Sequence, residues 1–185
     1  MRGVRPAAAT AAVVLLGFAA ACGKPDSGAG AATTAPPAHA RFEEEVTLDD
    51  GSRVGLSYAA GRGLVEQHRR PGARAWSMPH LVHRTTSDPC GSMTVTPFGT
   101  TVAVIANWGP YCADGEPPTE SVAAVGTDGP SRWDTKVTED FDGWEKVSMV
   151  RGSQGLRFER MSSEWTTLLR WNRDEGFAEV DETRR

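Results

Sequence analysis

Between residues 42 and 180, short runs of β-branched and aromatic residues alternate with turns rich in Gly, Pro and Asp. One run places Trp165, Thr167, Leu169 and Trp171 on a single face, because successive side chains of a strand point to opposite sides. No stretch after residue 40 shows the 3.6-residue periodicity of an amphipathic helix. The pattern predicts about a dozen short strands, over residues 46–48, 53–58, 64–69, 80–84, 92–96, 101–106, 121–126, 133–138, 145–150, 155–159, 165–171 and 177–180.

This pattern predicts a single all-β domain over residues 41–185. Short strands joined by tight turns favour an antiparallel meander, either a propeller-like open array or a two-sheet sandwich. A small closed β-barrel or propeller is the alternative. A closed propeller needs about four or more four-stranded blades, whereas about a dozen strands supply three. We therefore expect the sheets to stay open.

Two turn segments resemble the Asp-box turns of sialidase-like β-propellers. One is residues 74–79, with the sequence RAWSMP, and the other is residues 127–133, with the sequence TDGPSRW. The first segment lacks the Asp of the Asp-box motif. In the second segment, Gly129 comes one position earlier than the Gly of the motif. The resemblance implies that Asp128 holds a hairpin and that Trp133 packs between sheets. It carries over no catalytic residue, because these turns are structural in that family.

The first 21 residues have the features of a secretory signal, with Arg2 and Arg5 followed by an apolar segment over residues 7–18. Small residues then precede Cys22 and Gly23. This arrangement resembles the signal of bacterial lipoproteins and implies that Cys22 carries the lipid. The protein would then sit at the extracytoplasmic face of the membrane, anchored through Cys22. An ordinary secreted protein cleaved near Ala21 is the alternative.

Residues 23–40 contain no large apolar side chain, so residues 22–40 are expected to be a lipidated cysteine followed by a disordered tether. After loss of residues 1–21 the chain keeps 18 basic and 24 acidic residues. This negative balance opposes binding to anionic lipid and to nucleic acid, so the lipid must provide the anchor. The overall character resembles small actinobacterial lipoproteins of unknown function.

Cys90 and Cys112 are the remaining cysteines, and an exported protein meets oxidising conditions, so we expect them to form a disulfide. The bridge would fix the long loop from residue 108 to residue 120. This loop carries Trp108, Tyr111, Asp114 and Glu116. Rigid aromatic rings beside acids suit the binding of a glycan or an envelope protein. The alternative is that Trp108 covers the core and the acids keep the loop soluble.

No cofactor, metal or catalytic residue is predicted. His80 and His83 could join His68 as zinc ligands, but residues three apart on a regular strand face opposite sides. The acidic turn over residues 139–144 resembles the start of a calcium loop, yet Met149 stands where the twelfth-position Glu belongs, so we expect a solvated turn. The other tryptophans are expected to pack in the core, namely Trp76, Trp133, Trp144, Trp165 and Trp171.

No nucleophile elbow, zinc-protease motif or phosphate loop is present in the sequence. The expected function is therefore that of a non-catalytic binding or interaction module of the cell envelope. A degenerate carbohydrate-active protein of sialidase-like or glycosidase-like ancestry is the alternative. Its paired carboxylates would have to converge in a pocket, and the sequence selects no such pair.

Overall fold

The computed structural model describes residues 41–91 and 93–185. The strands of this part of the chain are β1 Glu44–Thr47, β2 Arg53–Ala59, β3 Gly63–Arg69, β4 His80–Arg84, β5 Thr94–Phe98, β6 Thr101–Trp108, β7 Glu120–Thr127, β8 Arg132–Glu139, β9 Lys146–Met149, β10 Leu156–Met161, β11 Trp165–Asn172, β12 Gly176–Phe177 and β13 Asp181–Arg184. A 3₁₀ turn at Cys112–Asp114 is the helical element of the same part.

These strands form three antiparallel sheets, each a meander of strands that follow one another in the chain. The first sheet contains β1 to β4, the middle sheet β5 to β8, and the last sheet β9 to β12 with β13 also paired to β11. Over the described residues none of the sheets closes on itself. The all-β prediction is confirmed, and the closed barrel or propeller is wrong.

The middle sheet is buried on both faces, which is why β6 and β7 have nearly continuous apolar sequences instead of alternating ones. On β6, Val102 and Val104 belong to a core shared with residues of the first sheet such as Leu56. Ala103 and Ile105 point the other way and join a second core with the last sheet. The domain is therefore a stack of three layers around two apolar cores.

The sheets lie in the stack with their strands in the same order. The first strand β1 contacts β5, the fourth strand β4 contacts β8, and β8 in turn contacts β12. Successive four-stranded meanders in a common order are the arrangement of neighbouring propeller blades. The open array that the sequence predicts is therefore consistent with the three-layer stack.

A cap of aromatic and basic side chains covers the outer face of the first sheet. Gly55 leaves room for the ring of Phe42, which a Cβ at position 55 would overlap. The Phe42 ring lies 4.5 Å from that of Trp76, and the guanidinium groups of Arg53 and Arg69 stack on Trp76 at 5.6 and 5.5 Å. This layer covers one end of the open stack.

The turn between β7 and β8 agrees with one part of the Asp-box resemblance and departs from the other. Trp133 packs against the core between the first and middle sheets. Asp128 does not hold the hairpin through its carboxylate, which instead pairs with Arg173 at 2.9 Å. The turn is closed by the Ser131 hydroxyl, which donates to the backbone oxygen of Asp128 at 2.7 Å.

The end of the chain departs from the predicted strand at 177–180. The structure has two short strands there, β12 and β13, which pair with opposite halves of β11. All four residues of β13 are exposed, so their sequence has no apolar alternation to reveal a strand. The predicted signal peptide, Cys22 and the tether lie outside the described residues. Among the described residues, no helix is both long and apolar enough to span a bilayer.

Candidate functional site

A disulfide-tied loop joins β6 to β7. Cys90 and Cys112 are bonded, with their Cα atoms 5.2 Å apart, so the predicted disulfide is confirmed. Backbone bonds hold the base of the loop as well, because the N–H groups of Gly109 and Thr119 donate to the oxygens of Asp88 and Trp108, both at 2.9 Å. The loop is thus fixed at its middle and at both ends.

The acidic turn after β8 lies against this loop. The Asp140 N–H donates to the backbone oxygen of Thr119 at 3.2 Å. Gly143 approaches so closely that a Cβ there would stand 3.3 Å from Pro118, and its φ of +93° also favours glycine. Next to it, the Trp144 N–H donates to the Ser121 hydroxyl at 3.0 Å, which anchors the end of the turn to β7.

A cleft of about 530 Å³ lies between the loop and the acidic turn. Its walls are aromatic rings, prolines and carboxylates, with Pro110, Tyr111, Asp114, Glu116, Pro117, Pro118 and Thr119 from the loop and Asp140, Phe141 and Asp142 from the turn. Three prolines make the loop stiff, since each fixes its own φ. A concave, pre-formed surface of this kind is the usual form of a ligand site.

Three of the four predicted binding residues line this cleft. Tyr111 is 63% exposed, and the carboxylates of Asp114 and Glu116 are exposed beside it. Trp108 does not join them, because it is only 1% exposed and belongs to the first core. Strand alternation explains this difference, since Trp108 shares the inward face of β6 with Val104. Placing the Trp108 ring in the binding surface is therefore wrong.

Sequence reasoning treated the acidic turn separately and missed that Asp140, Phe141 and Asp142 complete the cleft. The sequence offers a partial signal, because Asp and Gly are the residue types that tolerate the positive φ of a tight turn. Asp140 and Gly143 take φ values of 50° and 93°. The prediction that Trp165 packs in the core is also wrong. This residue is 43% exposed at the end of β11 instead of packed in the core.

The expectation that His80 and His83 face opposite sides of β4 is wrong, because a β-bulge interrupts the pairing of β3 with β4. In the pairing of β3 with β4, Glu66 lies opposite His80 and Leu64 lies opposite His83, with the register shifting between them. Directly opposite residues share a face, so both histidines lie on the face of Glu66 and Leu64, with His80 exposed at the end of the strand. His83 accordingly contacts Glu120, with Nε2 and Oε2 3.0 Å apart. Within residues 41–91 and 93–185, no group of three His, Cys, Asp or Glu side chains is arranged to hold a metal.

A separate group of titratable side chains lies in the first sheet. Glu66 is fully buried, and burial raises its pKa to about 8, while the Trp133 indole opposes that rise. Its Oε1 lies 2.9 Å from Nδ1 of His68, whose pKa is lowered first by burial and then by Arg70 and His80. Burial also raises the pKa of Tyr58 to about 12. None of these groups lines the cleft.

We expect the disulfide to stabilise the folded loop. Reduction of wild type, or the double substitution Cys90→Ser and Cys112→Ser, should lower the free energy of unfolding by roughly 3 kcal/mol, because the denatured chain gains freedom. Thermal unfolding with and without dithiothreitol measures the effect. The double variant is the control, since the reductant should leave its melting temperature unchanged. An equal melting temperature for oxidised and fully reduced wild type would contradict the expectation.

Comparison of this chain with protein-family models, curated proteins and solved structures finds no match.

Proposed function

We propose that this protein is an exported, lipid-anchored binding module of the cell envelope, without catalytic activity, and that the cleft beside Tyr111 is its ligand site. The observation that carries the proposal is the cleft itself. It combines an exposed aromatic ring, stiff proline walls and several carboxylates on a loop that a disulfide fixes. Pre-organised rings contribute contact area at low cost in conformational entropy.

The proposal that the protein has no catalytic activity rests on the position of Glu66, the acid whose pKa is raised. Catalytic acids and bases are tuned by burial and neighbours inside a cleft that substrate can enter. Here Glu66 has the raised pKa, and it is buried between sheets, away from the cleft. A substrate in the cleft cannot reach it.

The proposed ligand site is tested by binding measurements on the mature chain. The ligand classes to screen are envelope glycans and the exported proteins of the same cell. Tyr111→Ala should weaken binding at least about tenfold, because the exposed ring of a cleft is the typical binding hot spot. Met78→Ala is the matched control, since Met78 is 85% exposed and does not line the cleft. Equal loss in both variants, or no loss in Tyr111→Ala, would refute the assignment.

The lipid anchor is tested at Cys22. Cells grown with a clickable fatty acid should label wild type, and Cys22→Ala should lose the label completely, because the thiol of that residue is the proposed attachment point. Cys90→Ala is the control and should keep the label. Label that persists in Cys22→Ala, or is absent from wild type, would contradict a lipid on Cys22 and favour an ordinary secreted protein.

A degenerate carbohydrate-active protein of sialidase-like ancestry is the second candidate. It is supported by the stack of three sheets, each built on a meander of four strands in a common order, and by Trp133, which packs between two of them. A panel of fluorogenic glycosides separates the candidates. Hydrolysis that disappears in Asp140→Asn would favour the enzyme, whereas no turnover together with Tyr111-dependent binding would favour the binding module.

A further inference from the structure

A second, smaller cleft adjoins the first. It has a volume of about 240 Å³ and shares the acidic turn, since Asp140, Phe141 and Asp142 line both. Its remaining walls come from the last sheet, with Arg160, Ser162, Trp165, Thr167 and Glu182. The turn therefore separates two neighbouring grooves. One contains the exposed Tyr111 ring, and the other contains the exposed Trp165 ring.

Carboxylates are the commonest charged side chains in the lining of the two grooves. Carboxylates line both of them, at Asp114, Glu116, Asp140, Asp142 and Glu182. Arg160 is the one basic side chain among the lining residues. It is already engaged, with its guanidinium 3.3 Å from Asp142 and 2.7 Å from Glu145. The prolines add carbonyl oxygens but have no backbone N–H to donate.

The apolar part of the lining narrows the choice of ligand. Tyr111 lines the first groove, Trp165 lines the second, and Phe141 lines both. Aromatic faces attract ammonium and guanidinium groups. Lysine and arginine side chains combine a cationic head with an apolar stem, so one side chain satisfies both kinds of surface. A neutral sugar fits less well, because it has no positive charge to pair with the five carboxylates of the lining.

From this chemistry we infer that the two grooves together bind one extended basic peptide segment of a partner protein, with basic side chains on either side of the acidic turn. This inference rests on the proposed function and names its ligand. The negative charge of the whole chain, a net of −4, also favours the approach of such a partner. The acidic turn between the grooves has a tight conformation, with a φ of +50° at Asp140.

The inference is tested with fluorescein-labelled peptides on the mature protein. A ten-residue alternating Arg-Ser peptide should bind, and its Glu-Ser counterpart should not. The double substitution Asp114→Asn and Asp140→Asn should weaken binding about five- to tenfold at low salt, because it removes two charges from the first groove. Asn also tolerates the positive φ at position 140. The matched control, Asp49→Asn with Asp174→Asn, removes two exposed charges that line neither groove and should change binding less than about twofold.

Peptide length tests whether the grooves act together. Trp165→Ala should weaken binding of the ten-residue peptide and leave a four-residue Arg-Ser peptide unaffected, whereas Tyr111→Ala should weaken both. Equal effects of the two charge-removing double variants would overturn the inference, because the attraction would then be non-specific. Binding of an N-acetylglucosamine hexasaccharide that depends on Tyr111, without peptide binding, would overturn it while the proposed function stands. If no glycan, peptide or exported protein binds in a Tyr111-dependent manner, both fail.

Discussion

Replacing Trp108 with alanine is expected to lower the free energy of unfolding by about 3–5 kcal/mol, the usual range for removing a fully buried tryptophan. The indole is 1% exposed and packs edge-on against Tyr58, with ring centroids 5.3 Å apart. The His83 ring also lies against it, with ring centroids 5.1 Å apart. The substitution therefore opens a cavity between the first and middle sheets. Chemical denaturation followed by tryptophan fluorescence and circular dichroism measures the change.

Tyr111→Ala is the control, because it removes an aromatic ring from the same loop but from its exposed side. We expect it to change stability by less than about 0.5 kcal/mol, as is usual for surface positions. The pair of variants also separates the two interpretations of the loop. A Trp108→Ala protein that kept its stability and lost only ligand binding would contradict the structure and return Trp108 to the binding surface.

The strands could be predicted because their sequences alternate or are bounded by turn residues. The run from Trp165 to Trp171 shows this, and β11 occupies Trp165–Asn172. The middle strands were recognisable for a different reason, since continuous apolar runs such as that of β7 mark burial on both faces. The very short β12 and the fully exposed β13 have neither signal, so the end of the chain was predicted incorrectly.

The cleft could be predicted only in part, because it depends on which strand ends become neighbours. Pairing of β7 with β8 sets Glu120 opposite Glu139. The residues just outside that pair, Thr119 and Asp140, then meet across the ladder and bond at 3.2 Å. Thr119 and Asp140 are far apart in the sequence, so no local sequence pattern predicts this contact. The β-bulge in β4 is similar, because one extra residue reverses the face that alternation assigns to a histidine.

The pH dependence of stability is expected to be dominated by Glu66. Its carboxyl is fully buried on β3, on the same face as Leu64, and its Oε2 has no hydrogen-bond partner. Burial raises the pKa from 4.5 to about 8, so the folded protein keeps the proton over a range in which the unfolded chain releases it. The contribution of Glu66 to the free energy of unfolding is therefore fully present below pH 4.5 and is lost as the pH rises toward 8.

His68 acts in the opposite sense. Its pKa is lowered from 6.5 in the folded state, so its contribution to stability increases as the pH rises toward 6.5. The two effects offset each other below pH 6.5. Between pH 6.5 and 8 His68 is neutral in both states, and Glu66 acts alone. In that window the unfolding equilibrium constant of wild type should rise about tenfold per pH unit.

Glu66→Gln isolates the effect, because glutamine keeps the size of the side chain and an oxygen for the contact with His68 but cannot ionise. Relative to this variant, wild type should lose about a thousandfold in its folding equilibrium between pH 4.5 and 8, since the shift in pKa spans that interval. Glu164→Gln, at an exposed position, should run parallel to wild type throughout. Urea titrations at closely spaced pH values give the curves. Parallel curves for wild type and Glu66→Gln would contradict the expectation. They would mean that the pKa of Glu66 is the same in the folded and unfolded states, so that Glu66 ionises inside the fold. That would require a charge partner that the packing around Trp133 and His68 does not provide.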